Sequence, residues 1–480
     1  MPRVTRLRGA ILLSSLSLST ACASSLDARR MSGDDAPLTT VEARHLAIAG
    51  ALEAEIAARR VPGAAIAIVE NGRLAFAAGA GVKRHGGADA VTANTRFRVG
   101  SMTKTVTAAA VMSLVQEGKI DLDRPVNGYV PALALAPPFD PGTLSIRQLL
   151  DHTAGLPDTY EPSCAPTKDA IAGWFAEHRD LPLWSPPGRL WNYSNTGYRL
   201  AGLATERVAG QPFAALVQSR VLAPSGMTNA TFDPAVGEAG DHSWGHSLGP
   251  DGGVVASHFH ESDCASRLPE GGLIASVTDW ARFTEQMLSS TGFLRAETIA
   301  EMEADSVSTH RVPGEGYGLG LFTETRKGKR LVCHEGSRLG FLSSYCLVPA
   351  DHLAVTVLFN ADHVSPKAFT LRVIDELLGL GNEPPPAHVT PPGTWGAYAG
   401  RFHDPFTFGR VDVELRDGRL WGAMSILPER FELRQVAGDT FWFAVPSRPA
   451  PVTVTFHRGS DGAAEFFATR FGVAKRVADR

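Results

Sequence analysis

Apolar residues recur at helical spacing through Leu46, Ile48, Leu52 and Ile56, behind a Thr39-x-x-Glu42 capping box and ahead of Pro62-Gly63. That pattern predicts a first helix over about 40–60. Two short apolar runs follow, Ala64 to Val69 and Leu74 to Ala78, joined through Asn71-Gly72, a pair that accepts the positive φ of a tight hairpin. A helix then opens at Ser101 and carries Met102, Val106, Ala109, Val111, Leu114 and Val115 as far as Gly118. From 119 to 270 the pattern is helical and loop-rich, broken at Pro137-Pro138, Pro186-Pro187-Gly188 and Asp251-Gly252-Gly253. Ser276-x-x-Asp279 caps another helix, with Val277, Trp280, Phe283 and Met287 on one side. Strand-like runs near 330–334, 343–348 and 353–359 precede a last helix at 366–379, whose apolar face is Phe369, Leu371, Ile374, Leu377 and Leu378.

Helix, two strands, long insertion, three strands and helix imply an α/β (α+β) fold: an antiparallel five-stranded sheet covered by helices, with an inserted, mostly α subdomain. Pro384-Pro385-Pro386 and Pro391-Pro392 stiffen a connector at 383–393. Beyond it, aromatic and β-branched runs alternate with turns at Asp417-Gly418, Gly438-Asp439 and Asp461-Gly462, so 394–480 reads as a small β-barrel or meander. At 480 residues the chain exceeds a single hydrophobic core, which fits one large domain at 39–382 and this smaller one.

The first residues read as an address. Arg3, Arg6 and Arg8 lead into the apolar run Ala10 to Leu18, and Ala21-Cys22-Ala23 has the small residues of a cleavage site. Residues 1–23 are therefore expected to be a signal peptide and 24–38 a linker, with the mature protein exported to the periplasm or cell envelope. Lipid attachment at Cys22 is the other outcome, although the leucine stands one position further from the cysteine than in the usual bacterial lipoprotein signal. The remaining cysteines, Cys164, Cys264, Cys333 and Cys346, are even in number. They read either as two disulfides, Cys333 to Cys346 across neighbouring strands and Cys164 to Cys264, or as four buried thiols. Their spacing is not that of a metal site.

A net charge of −4 gives no footprint for nucleic acid and leaves a small molecule or a peptide as the expected partner. The chemistry lies in three motifs. Among the lysines only Lys104 has a serine three residues before it, and among the tyrosines only Tyr193 has an asparagine two residues after it. Residues three apart share a helix face, so Ser101 and Lys104 can point into one space. A serine hydroxyl needs a base to take its proton, and a lysine serves once burial lowers its pKa. Tyr193 can relay a proton to the leaving group, and Asn195 can contact the substrate amide or orient Lys104. His334-Glu335-Gly336-Ser337 ends a strand. There the glycine is expected to admit substrate along the strand edge and His334 to offer it a polar or cationic edge. His85 and His457 also precede a glycine by two positions, and order along the chain favours His334. The amides of Ser101 and Ser337 would form an oxyanion hole, worth roughly 3 to 4 kcal/mol per donor in other serine hydrolases.

With these motifs in that order, the chain resembles the class C β-lactamase and D-alanyl-D-alanine carboxypeptidase family of penicillin-recognising serine hydrolases, which includes esterases and D-aminopeptidases. Further marks of the resemblance, over roughly 40 to 380, are Val61-Pro62-Gly63, Phe97-Arg98-Val99-Gly100-Ser101, the stretch from Leu149 to Pro157, Gly271-Gly272-Leu273 and Gly340-Phe341. The resemblance implies an acyl-serine intermediate on Ser101, proton transfer shared by Lys104 and Tyr193, substrate contact by Asn195, and no metal or organic cofactor. The tail resembles the lipocalin-like domains of some members. Class C β-lactamases usually carry lysine where His334 stands, which moves the expectation towards carboxypeptidase-like chemistry on a peptide, D-amino-acid amide or ester. Glu335 sets a negative charge where a substrate carboxylate would approach. A promiscuous esterase or weak β-lactamase is one alternative, and a receptor that is acylated once is another. Asp151, His152 and Asp158 read as holding a loop, and Tyr317-Gly318-Leu319-Gly320 as a close-packed strand in place of a nucleotide loop.

Overall fold

A computed structural model describes residues 39–158, 169–257, 265–304, 307–309, 314–381, 395–405, 408–445, 451–469 and 472–478. The expected signal peptide and linker, Cys22, Cys164, Cys264 and the proline-rich connector lie outside the described residues. The chain divides into two units, Met1–Ala47 and Ile48–Arg480. The first supplies the opening turns of helix α1 (Thr40–Arg59), where the Glu42 amide donates to Thr39 Oγ1 at 3.2 Å and the Thr39 amide to Glu42 Oε2 at 2.9 Å. Every group of the candidate site belongs to the second.

Strands β1 (Gly63–Glu70) and β2 (Arg73–Gly81) form the expected hairpin. Asn71 and Gly72 take φ of 53° and 71°, the conformation a two-residue turn needs to match the twist of its strands. Strands β3 (Val307–Ser308), β4 (Gly316–Tyr317), β5 (Phe322–Arg326), β6 (Lys329–Arg338), β7 (Phe341–Val348) and β8 (Leu353–Phe359) complete a sheet in the order β2, β1, β8, β7, β6, β5, β4, β3. The five strands expected from the sequence are its longest members. The three additions are two to five residues long, too short for alternation to mark them.

Helix α2 (Thr103–Gln116) follows a single 3-10 turn at Gly100–Met102, and α3 (Asn195–Ala209) lies within the helical insertion. Helix α4 (Val277–Met287) and the closing α5 (Pro366–Leu378) cover the sheet on opposite faces. Leu358 packs in one core with Trp280 of α4, whereas Phe359, the next residue and so on the other face, meets Phe369 of α5 with ring centroids 6.2 Å apart. Residues 103 to 114 of α2 are all buried, so it is the central element on which the other layers rest. Its threonines donate into neighbouring backbone: Thr105 to Gly320 O at 2.7 Å and Thr107 to Pro269 O at 2.7 Å.

The tail is a closed barrel of eight strands: β9 (Gly400–Asp404), β10 (Gly409–Arg416), β11 (Arg419–Met424), β12 (Phe431–Ala437), β13 (Thr440–Phe443), β14 (Val452–Arg458), β15 (Ala464–Thr469) and β16 (Gly472–Val477). Phe402, Phe441, Phe456 and Phe467 fill its interior, which is packed as a core. Among the described residues, no helix is long and apolar enough to cross a membrane.

Candidate active site

Ser101 sits in the middle of the 3-10 turn, half-buried at the head of α2. Gly100 makes that turn, with φ of 53°. A Cβ there would stand 2.6 Å from Ser337 N, so only glycine lets the Ser337 backbone pass this close to Ser101. One helical turn on, Lys104 is fully buried and its Nζ lies 3.3 Å from Ser101 Oγ. The spacing read from the sequence does bring hydroxyl and amine together.

The amine has two further partners, Asn195 Oδ1 at 2.5 Å and Glu270 O at 2.8 Å, both acceptors. As an ammonium, Lys104 donates to all three. As a neutral amine it keeps two N–H bonds for the two carbonyls, and its lone pair then faces Ser101. Burial drives its pKa down from 10.5 to about 8, partly offset by the negative charges of Glu270 and Asp158. Glu270 is itself held by a buried ion pair, with Arg199 Nε 2.6 Å from its Oε2, and Arg267 reaches its other oxygen at 3.1 Å. This anchoring of the carbonyl beneath Lys104 left no sequence signal, since Arg199 and Glu270 lie 71 residues apart in different helices.

Tyr193 and Asn195 come from the segment entering α3. Asn195 donates from its backbone N to Asp158 Oδ1 at 3.1 Å and from Nδ2 to Oδ2 at 3.3 Å, which turns its carbonyl oxygen towards Lys104. The Tyr193 ring centroid is 4.8 Å from Lys104 Nζ. Behind the phenol, His152 lies 4.3 Å away ring to ring and also meets Tyr198 and Tyr317. The Ser194 amide donates to His152 Nδ1 at 3.0 Å, so the proton of this imidazole is on Nε2. Burial, then the charges of Lys104 and His334, holds His152 well below its ordinary pKa, and it stays neutral. Asp151 accepts from the Thr153 amide at 3.0 Å. His152 and Asp158 therefore hold the loop that carries Tyr193, and Asp151 braces the turn at Thr153.

Strand β6 pairs with β5 only from Lys329 to Cys333, so its edge from His334 to Arg338 is not paired to β5 beside Ser101. Cys333 and Cys346, opposite each other on β6 and β7, are joined by a disulfide. Two expectations change at this edge. A Cβ on Gly336 would stand 1.9 Å from Val99 O and 2.4 Å from Ser343 Oγ, so its missing side chain admits the protein's own backbone and not substrate. His334 is 1% exposed, its Nδ1 donates to the Glu335 carbonyl at 2.6 Å and its Nε2 bonds Tyr317 OH at 3.0 Å. Both nitrogens are thus turned to protein groups, and His334 offers no open edge. Tyr317, absent from the sequence reading of the site, joins His334 to the aromatic cluster under Tyr193. Ser337 remains exposed on the open edge, against Gly100.

The beta-lactamase family matches residues 48–378, and a domain of unknown function (DUF3471) matches 384–476. Penicillin-binding protein 4 of Amycolatopsis lactamdurans is 28% identical over 330 residues, 66% of this chain and 85% of that protein. Other curated relatives are 26% identical, and the chain spans 61% of their length. Among solved structures, SurE with D-Leu superposes with a TM-score of 0.72 at 25% identity, covering 91% of this chain and 100% of that one. The D-stereospecific amidohydrolase from Streptomyces sp. gives 0.55 at 26% identity, covering 70% and 99%. The chain belongs to the beta-lactamase family and has the penicillin-recognising serine-hydrolase fold.

Proposed function

We propose that this chain is an exported serine hydrolase that cleaves a D-amino-acid amide, peptide or ester through an acyl-enzyme on Ser101. The observation that carries the reading is the buried amine of Lys104, 3.3 Å from Ser101 Oγ and held by two carbonyl acceptors. Neutral Lys104 takes the Ser101 proton as Oγ attacks the substrate carbonyl. The amides of Ser101 and Ser337 receive the developing oxyanion. Tyr193, over the amine, relays that proton from Lys104 to the departing amine or alcohol, and Lys104 and Tyr193 then take a proton from the attacking water and return it to Ser101 Oγ as the acyl group leaves. Asn195 orients Lys104 and contacts the substrate.

The preference for D-configured substrates is supported by the likeness to SurE with D-Leu and to a D-stereospecific amidohydrolase. Export is supported by the basic and apolar start of the chain and by the Cys333–Cys346 disulfide, a bond of oxidising compartments. The test is a panel of D-Ala-D-Ala peptides, D-amino-acid amides, their L-isomers, short-chain esters and a cephalosporin. Faster turnover of the D-isomers supports the proposal, and equal rates on both enantiomers refute its stereochemical part. A persistent adduct on Ser101 without turnover would make the protein a receptor.

A further inference from the structure

The segment that delivers Tyr193 is held from two sides. On one side it is bonded to 152–157: the Trp184 amide donates to Gly155 O at 2.8 Å, Gly188 N to Thr153 O at 2.8 Å and Asn192 N to His152 O at 2.8 Å. Its other side meets the barrel. Strand alternation turns Phe467 of β15 and Ala474 of β16 into the barrel, and leaves Phe466, Ala468 and Val473 on the outside. Those outward residues are nevertheless buried, at 1%, 8% and 2% exposure, in one cluster with Leu190, which is 4% exposed, and Trp184 packs on its rim. Beside the cluster, Arg189 Nη2 lies 3.2 Å from Glu465 Oε2.

From this juxtaposition, resting on the proposed function of Ser101, we infer that the C-terminal barrel is a positioning element of the active site, acting through Phe466 on Leu190. Leu190 is three residues before Tyr193 and five before Asn195, with the chain pinned between them by the Asn192 and Ser194 amides on His152. Hydrogen bonds hold the segment along one edge and Trp191 packs on Tyr317 and Phe322, and the barrel face closes the freedom left at Leu190. Misplacing a catalytic group by about 1 Å costs on the order of 100-fold in rate, whereas the substrate is bound along the edge of β6 and by Asn195, which Asp158 holds independently of the barrel. Loosening the contact therefore lowers kcat and spares KM.

The test uses the full-length protein with a chromogenic ester. Phe466→Ala and Leu190→Ala are each expected to lower kcat about tenfold or more with KM within about twofold. Their double variant should lose no more than the worse single one, and Phe466→Leu, which keeps the apolar contact, should recover most of the rate. Trp442→Ala, on β13 of the same barrel and outside this cluster, should keep the wild-type kcat. Far-UV circular dichroism confirms folding, and where Phe466→Ala fails to fold, Glu465→Arg and its rescue by Arg189→Glu read the same contact from the surface. Wild-type kcat in Leu190→Ala and Phe466→Ala, or an equal loss in Trp442→Ala, overturns the inference. Ser101→Ala is assayed alongside: if it stays active the proposed site is wrong, whereas if only it is dead the fault lies with the barrel contact alone.

Discussion

Lys104 Nζ and Ser101 Oγ are 3.3 Å apart, and only the neutral amine can take the proton across that gap. With burial bringing the pKa to about 8, about one amine in ten is neutral at pH 7 and nearly all are at pH 9. The sign follows directly: kcat/KM should rise about tenfold per pH unit below 8 and level off above it. A pH–rate profile between 6 and 10 checks this, and a flat profile removes Lys104 as the base. Lys104→Arg, whose guanidinium does not give up its proton, should lose the rise together with the activity.

Asp158 acts on the same titration from a distance. Its negative charge raises the Lys104 pKa, and its two oxygens accept both N–H groups of Asn195. Asp158→Asn removes the charge and one acceptor, so the midpoint of the profile should move below about 8 and the plateau rate fall by about tenfold. A lower plateau with an unmoved midpoint would leave Asp158 with positioning alone.

Glu270→Gln should be a stability variant as much as a kinetic one. Arg199 is fully buried against Glu270, and removing one partner of a buried ion pair costs about 3–5 kcal/mol. The urea midpoint should drop accordingly, while Arg430→Ala, which breaks the exposed pair with Glu414, should leave it unchanged. Equal midpoints for Glu270→Gln and wild type would contradict the assigned strength of the pair.

Gly336→Ala places a methyl group where Val99 O already stands. Strand β6 must then shift away from the Ser101 turn, at a cost of about 1–3 kcal/mol for an overpacked site and with loss of the Ser337 amide from its place. Thermal unfolding and kcat should both fall. Wild-type kcat with a normal melting temperature would return Gly336 to the role of admitting substrate.

The sequence made visible whatever is local. The hairpin at Asn71-Gly72, the capping boxes at Thr39 and Ser276 and the one-turn spacing of Ser101 and Lys104 each follow from a few neighbouring residues, and each is present in the structure. What stayed hidden depends on pairs far apart in the chain. Arg199 with Glu270, His334 with Tyr317, and Leu190 with Phe466 share no motif, because packing brings them together after the elements form. His334 shows the consequence: a histidine at a strand end reads as exposed, and only the fold turns its two nitrogens onto Glu335 and Tyr317.

The most direct measurement is hydrolysis of a chromogenic ester by purified wild type and Ser101→Ala, with intact-mass spectrometry of each protein during turnover. Wild type should hydrolyse the ester and show one acyl adduct mapping to Ser101, while the variant shows neither activity above background nor an adduct. Equal hydrolysis by the two proteins, or an adduct on another residue, would contradict the assignment of Ser101 as the nucleophile.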